Sequence, residues 1–189
     1  MNVKNTKKAD KRVDIGYLSS LGIQAYGHNN LYPQELRAII DASPNGSTCV
    51  ERRATYIEGN GIASQVLAYT VCDLLGSTFD DIHHLVSEDL AYYDGFALHI
   101  NYNVMGEVVA VSHIPFEMVR LAEPDENGVV GQVVIHPDWT AKRTRNGKAV
   151  KVNKDNCDYI AVFNPDKAVV QAQIIKAGGI EFYDGQVLY

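Results

Sequence analysis

Cysteine is scarce in this chain and badly placed for structural chemistry. Cys49, Cys72 and Cys157 are odd in number, far apart and free of any Cys-x-x-Cys pair. That spacing argues against a disulfide framework and against a zinc knuckle, and reads as reduced thiols of a cytoplasmic protein. Long apolar runs are missing too: none approaches the roughly 18 residues that span a bilayer, and the basic start MNVKNTKKADKR has no apolar segment behind it for a signal peptide. A soluble, unexported protein with no membrane partner is expected. Basic residues are outnumbered, with 17 Lys and Arg against 23 Asp and Glu, a net charge of −6 and a pI near 5.4. A stand-alone nucleic-acid binder usually carries the opposite balance, although passive contact with DNA is compatible with this one.

Catalytic signatures are also lacking. No Gly-x-Ser-x-Gly elbow, His-Glu-x-x-His pair or kinase set occurs. Gly59-Asn60-Gly61 lacks the third glycine and the Gly-Lys-Ser/Thr of a phosphate loop, and it follows a helical pattern, so it reads as a helix cap. The expectation is a protein that is not an enzyme and takes no cofactor.

What is present is a 46% hydrophobic chain, enough for a buried core in one domain or two small ones. Residues 1–16 hold basic and polar residues with almost nothing to bury, and read as a flexible basic arm. A helical part follows over 17–95. Tyr32-Pro33 opens one helix with Leu36, Ile39 and Ile40 as its stripe, Ser43 to Gly46 breaks it, and a second helix runs from about Ser47 to Glu58 with Gly59 as cap. Val66, Leu67, Val71, Leu74 and Leu75 predict a further helix within 60–77, although the β-branched residues blur the pattern. Thr78 caps an amphipathic helix built on Phe79, Ile82, Leu85, Val86, Leu90 and Tyr93, closed by Gly95.

After Gly95 the period becomes two. Phe96, Leu98, Ile100 and Tyr102 alternate with Ala97, His99 and Asn101, and 107–114 runs back across Asn103 to Gly106. Segments 117–122 and 129–136 predict a second β pair. Tyr159 to Phe163 reads as a strand, Lys167 to Lys176 as a helix, and Ile180–Tyr183 with Gln186–Tyr189 as a hairpin across Asp184-Gly185. The fold class expected is α+β: amino-terminal helices, then a mainly antiparallel β meander over 96–189, forming one continuous domain cut short inside its last hairpin.

Three features are candidate functional residues. Asp80, His84 and Glu88 share one helix face at metal-ligand spacing, although a solvated polar face is the ordinary reading of such a row. Lys142, Arg143, Arg145 and Lys148, with Lys151 nearby, form a basic loop that could meet phosphates or an acidic partner, or be merely solvated. Trp139 is a candidate interface anchor, against the commoner core role of a lone tryptophan.

Several short motifs then line up in order. Tyr26-Gly27-x-Asn29-Asn30-x-Tyr32-Pro33-x-x-Leu36 is followed by Ile57-x-Gly59-x-Gly61, Asp89-Leu90 and Gly95-Phe96-Ala97-Leu98. His113-Ile114-Pro115-Phe116-Glu117-x-Val119-Arg120 comes next, and Gly178-Gly179-Ile180 precedes Tyr183-x-Gly185-Gln186-Val187-Leu188-Tyr189. Together, over roughly residues 25–189, they resemble the amino-terminal part of phage portal proteins of gut Bacteroides-type bacteria and their prophages. That resemblance implies a wing-like region of a structural subunit in a ring, usually of twelve copies, at one capsid vertex. It further implies partners in other copies of itself, the terminase, capsid and neck or tail proteins, and DNA passing through non-specifically. Its place would be the virion, and the bacterial host cytoplasm during assembly. The long stem helices and terminase-binding clip of such proteins have no counterpart here.

Two other readings compete. One is a metal-dependent hydrolase or nuclease built on Asp80, His84 and Glu88 with a distant histidine. The other is a small phage assembly adaptor whose unfinished terminal hairpin recruits a partner strand.

Overall fold

Proline starts the first two helices. The computed structural model describes residues 16–140 and 151–189, and in it Pro33 lies in the first turn of α1 (Tyr32–Asp41) while Pro44 opens α2 (Pro44–Glu58). A proline costs nothing there, because its missing N–H would have no partner in a first turn. Ser43 Oγ accepts from Gly46 N, so Ser43 to Gly46, which the sequence marks as a break, forms the cap and first turn of α2. Gly59 ends α2 with φ 60.

The helix expected within 60–77 is reduced to α3 (Gln65–Ala68). Beyond it Asp73 Oδ1 accepts from Leu75 N at 2.9 Å and Ser77 N at 2.8 Å, Cys72 N donates to Ser77 O, and Gly76 takes φ +89. A short acidic side chain offers the backbone local partners that a helix would have to break, and here they win. A tight loop results, pinned by the Val71–Thr78 bridge. Next, α4 (Phe79–Tyr93) starts on a reciprocal capping box: Asp81 N donates to Thr78 Oγ1 while Thr78 N donates to Asp81 Oδ2. It closes on Asp94, left-handed at φ 57, one residue before the expected Gly95. α2 lies along α4, and Arg53 ties the two by donating to Ala91 O and pairing with Asp94.

Six strands form one sheet in the order β4-β3-β8-β7-β6-β5. These are β3 (Leu98–Tyr102), β4 (Val108–His113), β5 (Val119–Leu121), β6 (Gln132–Ile135), β7 (Asp158–Val162) and β8 (Gln186–Leu188), preceded by a small hairpin of β1 (Tyr17–Leu18) and β2 (Ile23–Gln24). The fold is α+β, but its sheet is mixed rather than a pure meander, because β8 runs parallel to β7 and antiparallel to β3. The expected terminal hairpin is therefore absent. Ile180–Phe182 coils into a single 3-10 turn, and β8 fills the centre of the sheet instead of an open edge.

Register sorts the core. Val133 opposite Ile160 and Val162 opposite Val187 place these residues on one face, where Val119 and Ala97 join them. Val134 and Tyr159 face the other way, against Leu21, Ile23, Trp139 and Cys157. Further along that second face α5 (Lys167–Ala177) packs Val170 and Ile174 on Ile100 and Tyr102. Among the described residues no helix is long and apolar enough to cross a membrane.

Candidate functional site

Alternation along β5 points Arg120 to the opposite face from Val119, and there is no solvent on that side. Arg120 is 0% exposed. Its Nε donates to Asn30 Oδ1 at 2.7 Å, Nη2 to Asn30 O at 2.7 Å and Gln34 Oε1 at 3.3 Å, and Nη1 to the carbonyls of Glu117 at 3.0 Å and Val119 at 2.7 Å. All five guanidinium N–H groups are thus used, as burial of a charge requires. The rings of Tyr26 and Trp139 lie against it, 4.7 and 4.9 Å from its central carbon. Burial pulls its pKa down to about 10, with Tyr26 and Glu117 acting the other way, so it keeps its charge at neutral pH.

The segment that meets it is shaped for the purpose. Asn30 is buried at φ 62, a conformation asparagine tolerates better than most residues, and its Oδ1 also accepts from Tyr26 N. Tyr26 stacks on Phe116, and Tyr93 stacks on it too, at centroid distances of 5.7 and 5.2 Å. Gly95 makes that stack possible, because a Cβ there would stand 2.7 Å from Phe116 Cε2. Behind the rings, buried Asp89 Oδ2 accepts from His113 Nε2 at 2.7 Å and from Phe116 N at 3.1 Å.

At the outer rim Glu117 Oε1 accepts from Tyr93 Oη at 2.6 Å and pairs with Arg37, which also reaches Glu88 at 3.2 Å and lies over the Tyr92 ring. Burial, then the hydrogen bond to Glu117, push the Tyr93 phenol far above its ordinary value. Among the described residues the one buried side-chain polar atom without a partner is His83 Nδ1. This centre is saturated. It joins α1, α4 and the sheet as a clamp of hydrogen bonds and stacked rings.

Tyr26, Asn30, Asp89, Gly95, His113, Phe116, Glu117 and Arg120, scattered over the ordered sequence motifs, meet in this one junction. Sequence reasoning placed Arg120 in a motif but did not see it as a centre. A signal was available, since no Lys or Arg occurs between Arg53 and Arg120, and Arg120 stands between Val119 and Leu121 in a strand pattern.

The other candidates fall differently. His84 Nδ1 pairs with Glu58 at 3.1 Å, Glu88 with Arg37, and Asp80 Oδ1 lies beside Gly61. The spacing put Asp80, His84 and Glu88 on one face, but His84 and Glu88 pair with side chains on α2 and α1, and Asp80 stands by Gly61 before α3. Among the described residues no group of three or more His, Cys, Asp or Glu could hold a metal. Trp139 is not a surface anchor: it is 6% exposed in the core with Leu21 and Ile23, and its Nε1 donates to Met118 O at 2.9 Å. Lys142, Arg143, Arg145 and Lys148, and the arm up to residue 15, lie outside the described residues; Lys151 is exposed.

No protein-family model matches the chain, and no curated protein matches it. The fold is similar to a chain in the virion of a native gene transfer agent particle, at 13% identity and a TM-score of 0.46. That match covers 77% of this chain, which spans 42% of its neighbour's length.

Proposed function

We propose that this chain is a structural subunit of a tailed-phage particle, the wing-like amino-terminal part of a portal protein. The observation that carries the reading is the convergence of the motifs. Eight residues drawn from separate stretches of the portal-like pattern build one saturated junction, which supports their having a common architectural role. In this reading the clamp holds the helical layer rigid on the sheet, as a ring element under the load of DNA transport needs. The ring, the DNA conduit, and the docking of terminase, capsid and neck belong to the proposal, as do residence in the virion and assembly in the host cytoplasm.

The acidic balance fits a conduit. Each tight phosphate contact would add to the barrier against sliding, and residues 54–119 hold nine acids and no Lys or Arg. The two competing readings have less to stand on: among the described residues no group of three or more His, Cys, Asp or Glu could hold a metal, and the strand thought to offer an open edge lies inside the sheet.

The test is to read the parent gene downstream of Tyr189, express its full product and image it by negative stain. Rings with a central channel are expected. A product that ends near Tyr189 and stays a compact monomer overturns the reading.

A further inference from the structure

None of the 15 residues of α2 is buried. α4, equally long, buries Ile82, Ser87, Asp89 and Ala91. Stability from apolar burial scales with the area taken from water, so α2 gives little to the core and draws little from it. A groove of about 300 Å³ runs between the two helices, with Ala54, Thr55 and Glu58 on one wall and His84, Glu88 and Tyr92 on the other. Closely packed helices leave no such space, and the small side chains of Ala54 and Thr55 do not fill it.

The ties that hold α2 down are polar. Among the described residues its side-chain bonds to other elements run from Arg53 to Ala91 O and Asp94, and from Glu58 to His84 at 3.1 Å. Ser47, Thr48 and Thr55 donate their hydroxyls to carbonyls of α2 itself. Both ion pairs are open to water, with Asp94 77% and His84 60% exposed, and pairs of that kind add little stability and are screened by salt. The clamp at Arg120 reaches α1 through Gln34 and Arg37 and α4 through Tyr93, and its bonds take in no residue of α2.

Both ends of the helix can bend. Gly59 and Gly61 follow it at positive φ, and such residues absorb changes of backbone angle as hinges. At the front, Ser43 in extended conformation separates α2 from α1.

We propose that α2 is a strap that lifts from α4 as a unit, swinging between Ser43 and residues 59–61, while α1, α4 and the sheet stay folded. An isolated helix of this length is marginal in water, so the lifted strap also melts. Lifting uncovers the side of α4 that carries His84, Glu88 and Tyr92, and so gives the molecule a second surface without opening its core. The inference does not depend on the portal reading.

The experiment is hydrogen exchange on the full 189-residue chain at neutral pH, with each rate corrected for its intrinsic value. Amides of residues 48–58 are expected to exchange at least about tenfold faster than those of residues 83–93. Raising salt to about 1 M, where the screening length falls to about 3 Å, should widen that difference. Arg53→Ala should widen it as well, and Ala54→Leu, which fills the groove, should narrow it. In each case α4 and the sheet should keep their rates, and circular dichroism verifies folding. Equal protection of α2 and α4 overturns the proposal. So does an Arg53→Ala variant that speeds α4 and the sheet as much as α2, because the helix is then part of one cooperative unit. Exchange of α2 that neither salt nor either variant alters would sink it too, since the named ties and the groove would then have no part in holding the helix.

Discussion

Arg120 Nη2 donates to the backbone carbonyl of Asn30 across a sequence separation of 90 residues, at 2.7 Å and out of contact with water. The same asparagine offers its side-chain oxygen to Arg120 Nε, so one residue pair fixes where the helical layer meets the sheet.

Arg120→Lys should therefore be far from conservative. Lysine brings three donors where five are used and cannot spread between the Tyr26 and Trp139 rings. A loss of roughly 3–5 kcal/mol is expected, the range for disrupting a buried hydrogen-bonded charge. Arg120→Met should cost less than Arg120→Ala, because it fills the space without a charge. Urea unfolding measures both; a loss under about 1 kcal/mol for Lys would mean that the clamp is not what holds α1 to the sheet.

Gly95→Ala should destabilise through contact alone, since the new Cβ meets the Phe116 ring. The cost expected is about 1–3 kcal/mol, or a fall of roughly 2–4 °C in Tm per kcal/mol for a chain of this size. Phe116→Leu on top of it should give back part of the loss. Equal and additive losses in the double variant would show that the ring is not the obstacle.

How far the residues announced the structure follows from this pair of sites. α1, α2 and α4 were legible because caps, prolines and a 3.6 period are local, and the β3–β4 hairpin because a period of two and its turn lie together. The loop at 71–77 was misread because Leu74 and Leu75 fit a helical stripe that nothing in the fold covers. β8 was misread because Asp184-Gly185 has hairpin chemistry, while the true partners of Gln186–Leu188 lie in β3 and β7, beyond any local pattern. The clamp was half legible: its residues stood in the motifs, but only tertiary packing puts Asn30 against Arg120.

The row Asp80, His84 and Glu88 should bind no metal. Calorimetric titration with Zn²⁺ or Mg²⁺ is expected to give no saturable signal, and His84→Ala should change stability by less than about 1 kcal/mol, as for an exposed ion pair. One-to-one zinc binding that vanishes in His84→Ala would restore the metal reading.

Alkali should unfold the protein earlier than neutral-pH stability would imply. Burial raises the phenols of Tyr26, Tyr93 and Tyr102, and that of Tyr183 to about 12. Folded values above the unfolded value near 10 mean that the stability they carry is whole below about pH 10 and is lost as pH rises through the folded values. Arg120, lowered to about 10, works in the opposite sense over that range, one group against four. Thermal melts from pH 8 upward, read beside tyrosinate absorbance, should show Tm falling as the late phenols ionise. A Tm flat to pH 11 would contradict the burial of these hydroxyls.

The central place of β8 governs the order in which the molecule can be made. Until Gln186–Leu188 has left the ribosome, β3–β4 and β5–β6–β7 are two separate ribbons, each with one inner edge unpaired. Completion of the sheet is thus a late event that joins parts of the chain made far apart in time, and a nascent protein stalled before residue 186 exposes two edges able to capture strands from its neighbours on the same message.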